Sequence, residues 1–357
     1  MKVIKYFPVD KEMKSILWWG RFSQRYSRNE ILRGLMDDMG REVAVFRPAV
    51  PRFGDIEAVL RRVRVPGTVW VPCFRQRDLA AACRWARRRG AKVVFDPLVS
   101  AYMKQVFERR KFPGDSAAAR RLFARERKLF SLPDIVVADT PCHAKVFRDV
   151  LGVPEDRLRV VYVGADESLY VPAQPEERPA GAPMEVLFYG SFIPLHGADV
   201  IVQAAALSVG DNIKWTLLGD GPMRSRCIQE ATGLANVSFE DPVPQELLAE
   251  RIRRADVLLG VFGDTPQASN VMPNKFFQSI ASSRPVVTRA SEAYPKSALA
   301  SPGVRFVPPA DPQALLDAVR GWLDPSARAA ASLAARMLYL ESFSRATILG
   351  QLEEALR

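Results

Sequence analysis

Short β-branched runs, each followed by a helical segment, predict an α/β protein built from two doubly wound parallel sheets. Three observations carry that prediction. The alternation fills both halves of a 357-residue chain, which is too long for one ordinary core. A Pro-, Ala- and Glu-rich stretch without periodicity, VPAQPEERPAGAP at 171–183, separates the halves and reads as a linker. Glycines stand where strands of the second half give way to helices, the place at which such sheets bind ligands.

In the first half, KVIKYF reads as a buried opening strand. Ser27-Arg28-Asn29-Glu30 has capping-box spacing, so a helix is predicted from there to Gly40. EVAVF, TVWV, KVVFD and DIVVAD follow as strands, with helices over 78–89 and 116–131, and VVYVGAD closes the half. After the linker come MEVLFYG, a helix from 197, KWTLLG, a short helix from about 222, NVSF, a helix around 245–254, DVLLGVF, a helix from 274 and RPVVT. VRFV is the last strand, with helices in 312–323 and 325–356. The expected division is a first domain over 1–170, the linker, a second domain over 184–340, and a C-terminal helix over 341–357 returning to the first domain.

Hydrophobic content of 48% with 25% charged residues describes a folded, soluble chain, and no apolar run reaches the roughly 18 residues of a membrane-spanning helix. MKVIKYFPVDKEMK carries charges where a signal peptide has its apolar centre, so a cytoplasmic location is expected. Cys73, Cys83, Cys142 and Cys227 show no CxxC spacing and, with two histidines in the chain, form no familiar zinc site. The net charge of +11 is unevenly spread: residues 1–170 hold 34 Lys and Arg against 20 Asp and Glu, residues 171–357 hold 17 against 20. Such a basic half suits nucleic acid, an anionic membrane surface or a phosphorylated acceptor, or it is a set of solvated arginine-rich helices. The basic runs lack interleaved aromatics and no nucleic-acid module is present, so no nucleic-acid partner is expected.

Three strand-end loops could carry chemistry. In FYGSFIPLHG, Gly190 ends a strand and Gly197 opens a helix; in LLGDGPM, Gly219 and Gly221 expose bare backbone. In NVMPNKFF, Pro273 suits the first turn of a helix and Lys275 adds a positive charge there. Helix starts and glycine loops of this kind hold phosphates, although neither a P-loop nor a GxGxxG fingerprint is present.

In order and spacing, YGSFIPLHG, LLGDGP, RRADVLLGVF and ASSRPVV resemble the C-terminal half of the family 4 glycosyltransferases; SRNEILRGLMDDMGREV and RLRVVYVGADESLYVP extend the likeness to the first half. That resemblance implies a GT-B fold, two Rossmann-like domains facing across a cleft, and a retaining transfer from a nucleotide sugar to a hydroxyl acceptor, plausibly a lipid-linked or glycan intermediate of the cell envelope. No cofactor and no metal are expected. By position, the loop Gly190, Ser191 and Phe192, with Asn274 and Lys275, would meet the donor diphosphate, and Gly219 with 239–242 would line the base. Ser191 and His196 stand where many members have an Arg and a Lys, and Asn270 and Gln278 where many have two glutamates. Lys275 and His196 are accordingly the expected catalytic cations, His196 as an imidazolium raised by the diphosphate. Asp96 would either meet the acceptor hydroxyl or cap a helix over 98–110, and His143 reads as structural. Association with the inner face of the membrane would be peripheral and salt-sensitive. Two alternatives remain, a nucleotide-sugar epimerase and a catalytically weak binding protein on the same fold.

Overall fold

The computed structural model describes residues 15–23, 26–109, 111–172, 179 and 181–357. They divide into two compact units, the described residues up to 163 with 348–357, and those of 164–347. The predicted strand KVIKYF lies outside the described residues.

The first unit holds a six-stranded, all-parallel sheet in the order β2-β1-β3-β4-β5-β6. Its strands are β1 (Ser15–Trp19), β2 (Glu42–Phe46), β3 (Thr68–Val71), β4 (Lys92–Phe95), β5 (Ile135–Ala138) and β6 (Leu158–Val160). β1, sequence SILWW, is buried throughout because both faces of a parallel sheet are covered. Leu17 and Trp19 enter one core with Val69, Val71 and Phe95, while Ile16 and Trp18 enter the other with Trp70 and Val94.

The helices of this unit are α1 (Ser27–Asp38), α2 (Gly54–Leu60), α3 (Gln76–Arg87), α4 (Ala117–Phe130) and α5 (Pro141–Asp149). The capping box does not form: Tyr26 is the N-cap of α1 and no side chain closes it. Asp96 does not cap a helix either. The segment after it is a π-helical turn, Met103–Glu108, preceded by a turn whose Ala101 and Tyr102 N–H groups donate to the Glu126 carboxylate at 2.6 and 2.7 Å. Burial raises the pKa of Glu126, and these hydrogen bonds together with that from Ser100 Oγ act against the rise.

The second unit has β7 (Met184–Tyr189), β8 (Ile213–Leu218), β9 (Val237–Glu240), β10 (Val257–Leu259), β11 (Val286–Arg289) and β12 (Val304–Val307), all parallel, in the order β12-β11-β10-β7-β8-β9. This is the doubly wound order whose direction reverses between β7 and β10. Its helices are α6 (Ala198–Leu207), α7 (Arg224–Glu230), α8 (Gln245–Arg254), α9 (Asn274–Ala281), α10 (Lys296–Ala300), α11 (Pro312–Arg320) and α12 (Pro325–Ser342). Asp311 and Asp324 cap the last two through Ala314 N and Ala327 N, both at 2.9 Å, with Pro at the first helical position. The helical stretch expected over 325–356 breaks after Ser342, and α13 (Arg345–Leu356) places Ile348, Leu352 and Ala355 in the first unit's Trp18–Trp70 core.

Candidate functional site

The order of the second sheet reverses between β7 and β10, so the loops leaving those two strands diverge there and leave room for a ligand. Two elements meet at that point: the loop from Gly190 to Gly197, and the start of α9. The N-cap of α9 is Pro273, in extended conformation, and no side chain closes the helix end. The Phe276 N–H closes on the Pro273 carbonyl at 2.9 Å, which leaves the N–H groups of Asn274 and Lys275, with the helix dipole, to face an anion.

Lys275, at the second position of α9, is 5% exposed and its ammonium nitrogen has no hydrogen-bond partner among the described residues. Nζ lies 4.0 Å from the centre of the Phe188 ring and 5.8 Å from that of Tyr189. A cation–π contact offsets part of the loss of hydration but does not replace water. Burial accordingly depresses the Lys275 pKa well below the usual lysine value. A buried, unpaired lysine is a group waiting for an anion.

His196 stands beside it. A Cβ built on Gly190 would lie 3.2 Å from Lys275 Nζ and 3.3 Å from His196 Cε1, so glycine is the residue that lets both groups approach this backbone. His196 Nδ1 bonds the Ser191 carbonyl, which only accepts, so Nδ1 carries the hydrogen and Nε2 keeps its lone pair. Burial first, and then the neighbouring Lys275, bring the His196 pKa down to about 3. In the free protein His196 is a neutral imidazole; the imidazolium expected from sequence requires the bound diphosphate.

The other sequence-named residues fall into different roles. Gly219 has φ +140°, and a side chain there would collide with the Gly190 carbonyl oxygen, so its bare backbone serves loop-to-loop contact. Gly219 N–H donates to Glu240 O at 2.9 Å, which puts 239–242 next to it. Phe192 is fully buried in the core, ring centroid 5.8 Å from Phe188, and lines no open space. Ser191 is exposed, and Asn274 is half-buried at the helix start. Asn270 lies on the loop before α9 and its Nδ2 donates to Pro266 O at 2.9 Å. Gln278 is buried with both ends of its amide occupied: Nε2 donates to the Tyr170 hydroxyl and Oε1 accepts from that of Tyr189, each at 2.9 Å. It fixes α9 against two tyrosines.

Sequence reasoning missed Arg289, whose Nη1 donates to Gly263 O at 2.7 Å and Nη2 to Ser269 Oγ at 3.1 Å, holding the loop that leads to α9. It also missed Arg28. This fully buried guanidinium places Nε 2.9 and 2.8 Å from the two oxygens of Asp96, and its Nη1 donates to Val161 O. Burial opposes the Arg28 charge, but Asp96 outweighs it and the proton is held more firmly than usual. Asp96 is thus neither a helix cap nor presented to solvent: its carboxylate neutralises Arg28. His143 Nδ1 on α5 and Oδ1 of Asp139, which follows β5, are 2.5 Å apart and form a second buried pair.

Also in the first unit, a pocket of about 350 Å³ opens where β3 gives way to α3, between Phe74 to Arg77, the π-helical turn and α4. Arg75, Arg77 and Arg125 line it beside Phe74, Leu122 and Leu129. Arg75 is held by Asp78 at 2.5 Å, and Arg77 and Arg125 have no ion-pair partner among the described residues. No group of three or more His, Cys, Asp and Glu side chains among the described residues is arranged to hold a metal ion.

Residues 29–164 match a family model described as "Glycosyl transferase 4-like domain", and residues 183–324 one described as "Glycosyl transferases group 1". The D-inositol 3-phosphate glycosyltransferase of Thermomonospora curvata is 34% identical over 157 residues, 37% of this chain and 36% of that protein. The protein of the same description in Acidothermus cellulolyticus is 28% identical over 235 residues, 60% of this chain and 51% of that protein. The chain thus spans about a third to a half of the length of these relatives. Among solved structures, Anabaena Alr3699/HepE in complex with UDP is similar with a TM-score of 0.70 at 14% identity, covering 96% of this chain and 99% of that one. At that identity the likeness shows the fold alone, which is GT-B. With one family match in each unit and both in the expected order, the chain belongs to the group 1 glycosyltransferases, its first domain of the glycosyl transferase 4-like type.

Proposed function

We propose that the protein is a retaining, metal-independent glycosyltransferase that moves a sugar from a nucleoside diphosphate sugar to an acceptor hydroxyl. The observation that carries this reading is the buried, unpartnered ammonium of Lys275 beside Gly190 and His196, at the open end of α9. As the glycosidic bond breaks, negative charge develops on the leaving diphosphate. A cation already stripped of water stabilises that charge more than it stabilises the ground state. Lys275 supplies this charge, the first turn of α9 supplies N–H donors, and His196 adds a second cation once the diphosphate raises its pKa. The UDP and UDP-glucose complexes of the structural relative support a nucleotide-sugar donor.

The acceptor side is assigned to the first unit, whose arginine-lined pocket combines charge with apolar wall and suits a phosphorylated or lipid-linked acceptor. The phosphorylated inositol in the names of the sequence relatives supports an anionic acceptor. Incubation with UDP-, GDP-, ADP- and TDP-sugars, with and without phosphorylated acceptors, tests the reading. Release of nucleoside diphosphate that depends on an acceptor, with a new glycoside, is expected. An altered donor sugar without acceptor would indicate an epimerase, and no turnover with any donor a binding protein.

A further inference from the structure

The short helix α2 and the 3₁₀ turn before it, Pro51–Phe53, are built the wrong way round for a water-facing element. The inward side is small and polar. Gly54 and Ala58 fit against the sheet, and Asp55 holds Arg84 of α3 through two contacts of 2.9 and 2.8 Å. The outward side is apolar: Phe53 is 53% exposed, Ile56 55%, Val59 50% and Leu60 78%. Their spacing puts the four on one arc of the helix surface, and Val50, 51% exposed, continues the patch upstream. Single exposed hydrophobic residues are ordinary, but a whole helix face of them marks an interaction surface.

The charges around this face have one sign. Residues 47–65 contain five arginines (Arg47, Arg52, Arg61, Arg62 and Arg64) and two acids. Both acids are occupied, Asp55 by Arg84 and Glu57 by Arg61 at 2.9 Å and by the Ala49 N–H at 2.7 Å. Glu42, on the adjoining edge strand β2, lies 3.8 Å from Arg64. An aromatic and aliphatic face rimmed by arginines matches an anionic bilayer surface, where apolar side chains enter the acyl boundary and guanidinium groups meet headgroup phosphates. Nucleic acid would engage the arginines and leave the apolar face in water.

We propose that Phe53, Ile56, Val59 and Leu60, with Arg52, Arg62 and Arg64, form a docking surface for an anionic membrane. This inference stands apart from the donor site and requires nothing of Lys275.

Flotation of the full chain with vesicles of phosphatidylcholine, alone or with about one third phosphatidylglycerol, tests it at low and high salt. The wild type is expected to bind the anionic vesicles at least tenfold more tightly than the neutral ones. The variant F53S/I56S/L60S, its side chains already in water and its fold checked by circular dichroism, is expected to lose at least tenfold. The variant R52Q/R62Q/R64Q is expected to lose the salt-sensitive part of binding. Undiminished vesicle binding by F53S/I56S/L60S would overturn the proposal. So would binding to duplex DNA in place of vesicles, or self-association through this face with no vesicle binding.

Discussion

Lys275 is the residue on which the proposed donor site turns. Its ammonium is buried without a hydrogen bond, which is unfavourable for the free protein by about 1–3 kcal/mol. Lys275→Met keeps the length of the side chain and removes the polar group. The free variant is expected to melt at higher temperature than the wild type by scanning calorimetry while binding nucleotide more weakly, the opposing changes that mark a residue kept for function.

If diphosphate binds at Lys275 as proposed, the depressed pKa gives that binding a pH dependence with a definite sign. Diphosphate raises the pKa of Lys275, so between the free and bound values binding takes up a proton, and affinity falls as pH rises through that window. Calorimetry in buffers of differing ionisation enthalpy should show proton uptake in the wild type and none at this site in Lys275→Met. Asp96 has a different meaning. Removing it leaves the Arg28 guanidinium buried and uncompensated, so Asp96→Ala is expected to lose about 3–5 kcal/mol in chemical denaturation. Nothing local announces this pair in the sequence, since its members lie 68 positions apart. Lys275 was legible because a proline, a lysine and an amphipathic helix stand in one short stretch.

At the level of elements, EVAVF, TVWV, KVVFD and DIVVAD were read correctly as strands, whereas the strand that closes the first half is Leu158–Val160 and takes in only the first residue of VVYVGAD. β1 was missed because SILWW is buried on both sides and so has no alternation, while KVIKYF upstream looks more like a strand. α2 was missed because its apolar residues face water and its core-facing residues are Gly54, Asp55 and Ala58, the reverse of the pattern used to find helices. The glycine loops were located, and the structure adds a packing reason for two of their glycines. Bare backbone at Gly219 meets Gly190, and Gly197, with φ +63°, lies against the Phe262–Gly263 backbone. Gly219→Ala is therefore expected to destabilise the second unit and to weaken nucleotide binding by displacing Gly190 from Lys275, which thermal denaturation with and without nucleotide would measure.

For the molecule as a whole, the two-sheet organisation was visible in composition and periodicity, and tertiary contacts hold the chain end. Helix α13 is the last element of the sequence, yet it completes the core of the first unit with Ile348, Leu352 and Ala355 against Trp18 and Trp70. Truncation after Ser344 is expected to expose both tryptophans and make the first unit protease-sensitive, seen as a red-shifted fluorescence and as early cleavage within 15–163.

The central claim is that the Lys275 ammonium holds the donor diphosphate, and isothermal titration of UDP, GDP, ADP and TDP into wild type and Lys275→Met tests it most directly. One nucleotide is expected to bind the wild type, and the variant to bind it at least about tenfold more weakly, the loss of one charge-assisted hydrogen bond, while remaining folded. Equal affinity in the two proteins would contradict the account.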